Sequence, residues 1–73
     1  MNKVKFGVFN DWHILYHIGT PNVHNRLRYG QAFLVHFYDF IKGDEQSFSD
    51  PDLFHERDRD KAYKMILKKY VEI

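Results

Sequence analysis

The chain has no cysteine, so neither a disulfide nor a thiolate zinc site can hold it together, and a small secreted disulfide scaffold is excluded. It also lacks an excess of charge of either sign. Eleven basic side chains face ten acidic ones for a net charge of +1, which supplies no strong field for nucleic acid or anionic lipid. No apolar run approaches the roughly 20 residues that cross a bilayer, and the N-terminus shows no signal-peptide pattern. A cytoplasmic location is therefore expected. The four glycines are scattered, so there is no phosphate-cradling loop. The only serines are Ser47 and Ser49, which leaves no nucleophile elbow, and no cysteine nucleophile exists.

What the chain does have is rings. Seven phenylalanines, five tyrosines and one tryptophan stand among 73 residues. At this size the hydrophobic gain barely exceeds the lost chain entropy, and large rings burying about 150–250 Å² each are the means of closing one small core. A single helical domain over residues 1–73 is the expectation.

The organising stretch is Asn25 to Ile41. At 100° per residue, Leu27, Gly30, Phe33, Leu34, Phe37, Phe40 and Ile41 share one broad side, with Tyr29 and Tyr38 at its margins. A helix is predicted there, capped by Asn22 or Asn25 and stopped by Gly43. Gly30 on its inner side predicts a close approach by a neighbouring helix, because an interior glycine otherwise costs about 1 kcal/mol relative to alanine.

Before it, residues 5–18 predict a helix with Val8, Phe9, Trp12, Leu15 and Tyr16 inward, ended by Gly19 and Pro21. The alternation of Val4, Phe6 and Val8 also permits a short extended piece followed by a helix from Asn10 or Asp11. After it, Asp44 to Ser49 reads as a loop anchored by Phe48. Ser49-Asp50-Pro51-Asp52 starts a short helical turn to His55. The mixed-charge run Glu56 to Asp60 reads as a solvated bend. A last helix, capped by Asp58 or Asp60, runs to about Val71 with Ala62, Tyr63, Ile66, Leu67 and Tyr70 inward and Lys61, Lys64 and Lys68 outward. The fold class is thus all-α, a small bundle of three main helices plus a short helical turn.

Five histidines invite a metal or catalytic reading. His13 and His17 have the i, i+4 spacing that presents two rings to one ion. The glutamate of a zinc-protease motif is missing, Ile14 standing in its place, and a third ligand would have to come from His24, His36, His55 or a carboxylate. No cofactor, no resident metal and no catalysis are expected, since so short a chain can hardly enclose a substrate while keeping a core. A surface for another protein is the remaining class. Its expected contacts are His13, His17, Arg26, Tyr29 and His36, on or beside the outward sides of the first two helices. The alternative is a nucleic-acid-binding regulator using Arg26, Arg28, Lys61, Lys64 and Lys68.

Two runs carry a resemblance. Arg28-Tyr29-Gly30-Gln31-Ala32-Phe33, then Asp50-Pro51-Asp52-Leu53-Phe54 with Glu56, Asp58, Asp60-Lys61-Ala62 and Ile66, resemble small helical proteins of tailed phages and prophages, mostly of unassigned function. The likeness covers residues 26–71. It implies a viral origin, and by context a protein that binds and inhibits a host enzyme or defence complex in the host cytoplasm. Within it, Arg28 is expected to reach the acids Asp58 and Asp60 and tie two helices together.

Overall fold

A computed structural model describes residues 1–73. Helix α1 spans Phe6–Ile18, α2 Tyr29–Lys42, α3 Pro51–His55 and α4 Arg59–Lys69. The chain is therefore all-α in character, with three main helices and one short one. A 3₁₀ turn, Pro21–Val23, follows α1. Two two-residue strands, β1 (Val4–Lys5) and β2 (Val71–Glu72), pair in parallel with Val4 opposite Val71 and Lys5 opposite Glu72.

The helix ends are capped by identifiable groups. Gly19 adopts φ 96°, the left-handed conformation that glycine enters without a Cβ clash, and its N–H donates to the Leu15 carbonyl at 3.0 Å. At the end of α2 the N-terminal segment supplies the missing donors. The Asn2 backbone N–H donates to the Ile41 carbonyl at 3.1 Å, and its side-chain amide to the Phe40 carbonyl at 3.0 Å. Asp50 caps α3 by accepting the Leu53 N–H, and Asp58 caps α4 by accepting from Asp60 and Lys61.

Two boundaries differ from the periodicity. The central helix begins at Tyr29 and not at Asn25, its N-cap is Arg28 with no side-chain cap bond, and neither Asn22 nor Asn25 performs that role. The reason is tertiary. The Tyr16 hydroxyl donates to the Leu27 carbonyl at 2.7 Å, and the Leu27 N–H donates to His24, so residues 24–28 are held in turns. The last helix stops at Lys69, because Val71 leaves it to pair with Val4 and the Val4 N–H donates to the Tyr70 carbonyl at 2.7 Å. At the start of the chain an extended piece does precede α1, but the helix begins at Phe6, well before Asn10.

The core is a single cluster of 16 buried residues drawn from every helix and both strands. Trp12 is its hub, with ring centroids 5.1 Å from Tyr29, 5.5 Å from Tyr16 and 5.6 Å from Phe33. Phe33 lies 5.8 Å from Tyr70, which carries the ring stack over to α4. The expected inward residues Phe33, Leu34, Phe37, Leu53, Ile66 and Tyr70 are buried, and Leu27 and Phe54 pack against them. Val8, Leu15 and Phe40, expected inside, are exposed. The expected tie from Arg28 to Asp58 and Asp60 is not formed: the salt bridges are Lys69 with Asp50, and the N-terminal ammonium with Glu45.

Candidate functional site

The expected contact residues divide into three places. His13, His17 and Tyr29 come together where α1 crosses the start of α2. The His13 Nδ1 and the Tyr29 hydroxyl share a 2.6 Å hydrogen bond, and the His13 and His17 ring centroids are 4.4 Å apart. The His17 Nδ1 lies 2.9 Å from the His13 carbonyl, which can only accept, so Nδ1 carries the proton. His36 stands elsewhere, its ring 6.4 Å from Trp12. Arg26 lines a polar hollow with Gly19, Pro21, His24 and Asn25. Tyr29, expected at the surface, is only 4% exposed and belongs to the core. That is a correction to its proposed role as a direct contact, and its physical reason is that Trp12 and Tyr16 of α1 pack over the ring.

Two residues from the start of α4 join this cluster, Tyr63, already expected to point inward, and Arg59, which no sequence pattern marks. Tyr63 of α4 brings its ring 5.2 Å from His13, and Arg59 places its guanidinium 5.8 Å from the Tyr16 ring centroid. Arg59 lies in the mixed-charge run, where no local pattern distinguishes it from its solvated neighbours. Burial, with the His17 and Arg59 charges adding to it, holds the His13 pKa below its usual value. Burial and His24 do the same for His36. The Tyr29 hydroxyl is pushed far up, chiefly by burial, and stays protonated.

These shifts predict a pH dependence of stability. Both imidazoles favour the neutral form in the folded chain, so the unfolded chain binds more protons once the pH falls below about 6.5. Their stabilising contribution is complete above that value and is lost as the pH drops through the folded-state pKa values. The urea midpoint should fall between pH 7.5 and pH 5, and the combined His13→Gln and His36→Gln substitutions should flatten that fall. An equal fall in the double variant would place the proton uptake elsewhere.

A cleft of 520 Å³ opens between α2 and the loop leading into α3, walled by Leu34, Tyr38, Phe48 and Phe54 and edged by Ser49, Asp50 and His55. It has the size of a small-ligand pocket. Asp50, however, is occupied: its carboxylate accepts from the Tyr70 hydroxyl, from the Leu53 N–H and from Lys69 at 3.2 Å. Burial pushes its pKa up, but those three donors outweigh burial and hold it below the ordinary carboxylate value. The group serves to fix α3 against α4 and is not free to orient His55. Nowhere do three or more histidine or carboxylate side chains gather in a way that could hold a metal ion.

The basic set lies outside all of this. Lys61, Lys64 and Lys68 are exposed on α4, and Arg26 and Arg28 are exposed on the turn before α2. None of the five forms an ion pair within the chain.

The remaining feature is α1 itself. Phe9, Trp12 and Tyr16 are buried, yet Phe6, Val8, Ile14, Leu15 and Ile18 stand on its outer arc, Ile18 with 70% of its surface exposed. Apolar side chains thus stand on its uncovered side as well as its covered one, with Asn10, Asp11 and His17 interspersed. An exposed apolar arc of this kind is what commonly marks a contact surface.

No helix is long and apolar enough to cross a membrane. Compared with known proteins, the chain matches no family model, no curated protein and no solved structure.

Proposed function

We propose that the chain is a non-enzymatic interaction protein, phage-encoded, that binds a host protein or defence complex and inhibits or redirects it by covering a surface. The observation that carries the interaction reading is the set of exposed apolar side chains on the uncovered side of α1. Ile14 and Ile18 project as anchors on one side of Asp11, Val8 and Leu15 stand on its other side, and His17 borders the arc. Exposed large apolar side chains grouped on one helix are a common mark of a protein interface. Of the originally expected contacts, His17 borders this face directly, His13 lies behind it, and Tyr29 supports His13 from beneath. The viral origin and the host target rest on the resemblance of residues 26–71 alone.

The test is capture from bacterial lysate with the tagged chain, treated with nuclease and washed at moderate salt, beside a variant carrying Ile14→Glu and Ile18→Glu. Charging two central anchors costs a protein interface about 2 kcal/mol or more, roughly a thirtyfold loss of affinity. One dominant host protein retained by the natural chain should be lost from the variant, whose circular dichroism should be unchanged because both positions face solvent. Equal retention by both proteins would refute α1 as the contact.

The five basic side chains left without intramolecular partners favour a second reading, a small nucleic-acid-binding regulator using Arg26, Arg28, Lys61, Lys64 and Lys68. Binding of that kind falls steeply with salt through counterion release. Capture of nucleic acid alone, lost as salt rises, would put this reading in place of the first.

A further inference from the structure

His13 and His17 lie one turn apart on α1, and the hydrogen bonds around them engage the same nitrogen of each ring. The His17 Nδ1–H donates to a backbone carbonyl at 2.9 Å, and the His13 Nδ1 faces the Tyr29 hydroxyl at 2.6 Å. Neither Nε2 has a hydrogen-bond partner in the chain. Histidines that ligate metals commonly show this division, with one nitrogen donating to a carbonyl or other oxygen and the other carrying a lone pair to the ion. The rings are 4.4 Å apart between centroids, within the reach of one shared ion. The partner oxygens are themselves anchored, one in the backbone of α1 and the other on a tyrosine packed in the core, so the two rings are held in place before any ion arrives.

We propose that the Nε2 atoms of His13 and His17 form a two-histidine chelate for a late first-row divalent ion of the nickel, copper and zinc class, with water completing its coordination. Imidazole nitrogen prefers these ions to magnesium or calcium, which take oxygen ligands. No carboxylate or third histidine joins the pair, so the site is open on its solvent side and the ion exchangeable. Arg59, beside His13, opposes a bound cation and keeps the affinity moderate. On binding, the His13 Nδ1 must carry the proton and the Tyr29 oxygen must accept it. Tyr29 is thus a positioning residue for the site.

The experiment uses the untagged full chain. Substoichiometric nickel is added while the five histidine ring signals are followed by NMR, and zinc binding is measured by calorimetry with magnesium as the control. The proposal expects one ion per chain, loss of the His13 and His17 signals before those of His24, His36 and His55, and at least a tenfold weaker zinc affinity in His17→Ala. His17 is exposed, so that variant should fold normally. Tyr29→Phe should weaken zinc tenfold or more while remaining folded by circular dichroism, as expected when the oxygen that orients a ligating histidine is removed. Uniform broadening of all five histidines, first broadening at His24 and His36, or unchanged zinc affinity in His17→Ala would overturn it.

Discussion

Replacing Trp12 with alanine should leave the chain largely unfolded at room temperature. The indole is 2% exposed and lies against rings from α1 and α2, among them Phe9, Tyr16, Tyr29, Phe33 and Phe37. Truncating a buried tryptophan costs about 3–5 kcal/mol, because the lost transfer energy adds to that of a cavity the neighbours cannot fill. Single cores in chains of this length rarely supply more than about 3–5 kcal/mol in all. The expected readout is loss of the cooperative thermal transition in far-UV circular dichroism.

Trp12→Phe is the informative companion. The buried indole nitrogen has no acceptor, so phenylalanine forfeits no hydrogen bond and retains much of the ring packing. It should melt cooperatively at a temperature between the natural protein and the alanine variant. A cooperative melt of Trp12→Ala within a few degrees of the natural chain would show that the surrounding rings close the gap, and that the core is not organised on Trp12.

The second large effect is expected at Gly30. A Cβ built there would lie 2.5 Å from the Leu53 carbonyl oxygen and 2.7 Å from Leu53 Cδ1. The first obstacle is backbone, so relief requires α3 to move away from α2, and Asp50, Lys69 and Tyr70 hold α3 against the end of α4. Overpacking of this kind costs about 1–3 kcal/mol, occasionally more, against at most about 1 kcal/mol gained from alanine's better helix propensity, since Gly30 stands in the first turn of α2. The obstacle being backbone places this site at the upper end, so Gly30→Ala should destabilise by about 2 kcal/mol, lowering Tm by roughly 8–16 °C for a domain of this length.

Gly7 supplies the opposite case within the same fold. A Cβ there meets nothing within 4 Å, so Gly7→Ala should leave Tm unchanged or raise it. If the two alanine variants behaved alike, the close approach of α2 and α3 would not be what makes Gly30 necessary.

The sequence anticipated a close neighbour at Gly30, and one is there, although the glycine stands in the first turn of α2 and not in its interior. It could not say that the neighbour is the five-residue α3, because that contact joins segments 23 positions apart. The histidine pair shows the same division. The spacing of His13 and His17 is visible in the sequence, whereas the oxygens orienting their rings include Tyr29 of another helix. For α1 the periodicity misled, because apolar residues occur at nearly every angle. Val8 and Leu15 fit the inward stripe as well as Tyr16 does, and only the packing of the other elements, Tyr63 of α4 among them, selects which are covered.

By itself the sequence determined the all-α class, the aromatic core, and most of the helix ends, for these depend on side-chain periodicity and on caps such as Gly19, Asp50 and Asp58 acting within one turn of the chain. Tertiary structure alone decided that α2 begins at Tyr29, that Val71 leaves α4 to pair with Val4, that Tyr29 is buried, and that the outer arc of α1 remains uncovered. Each of those outcomes depends on contacts between residues far apart in the chain, where a hydrogen bond or a buried ring outweighs the fraction of a kcal/mol by which local propensity would have chosen otherwise.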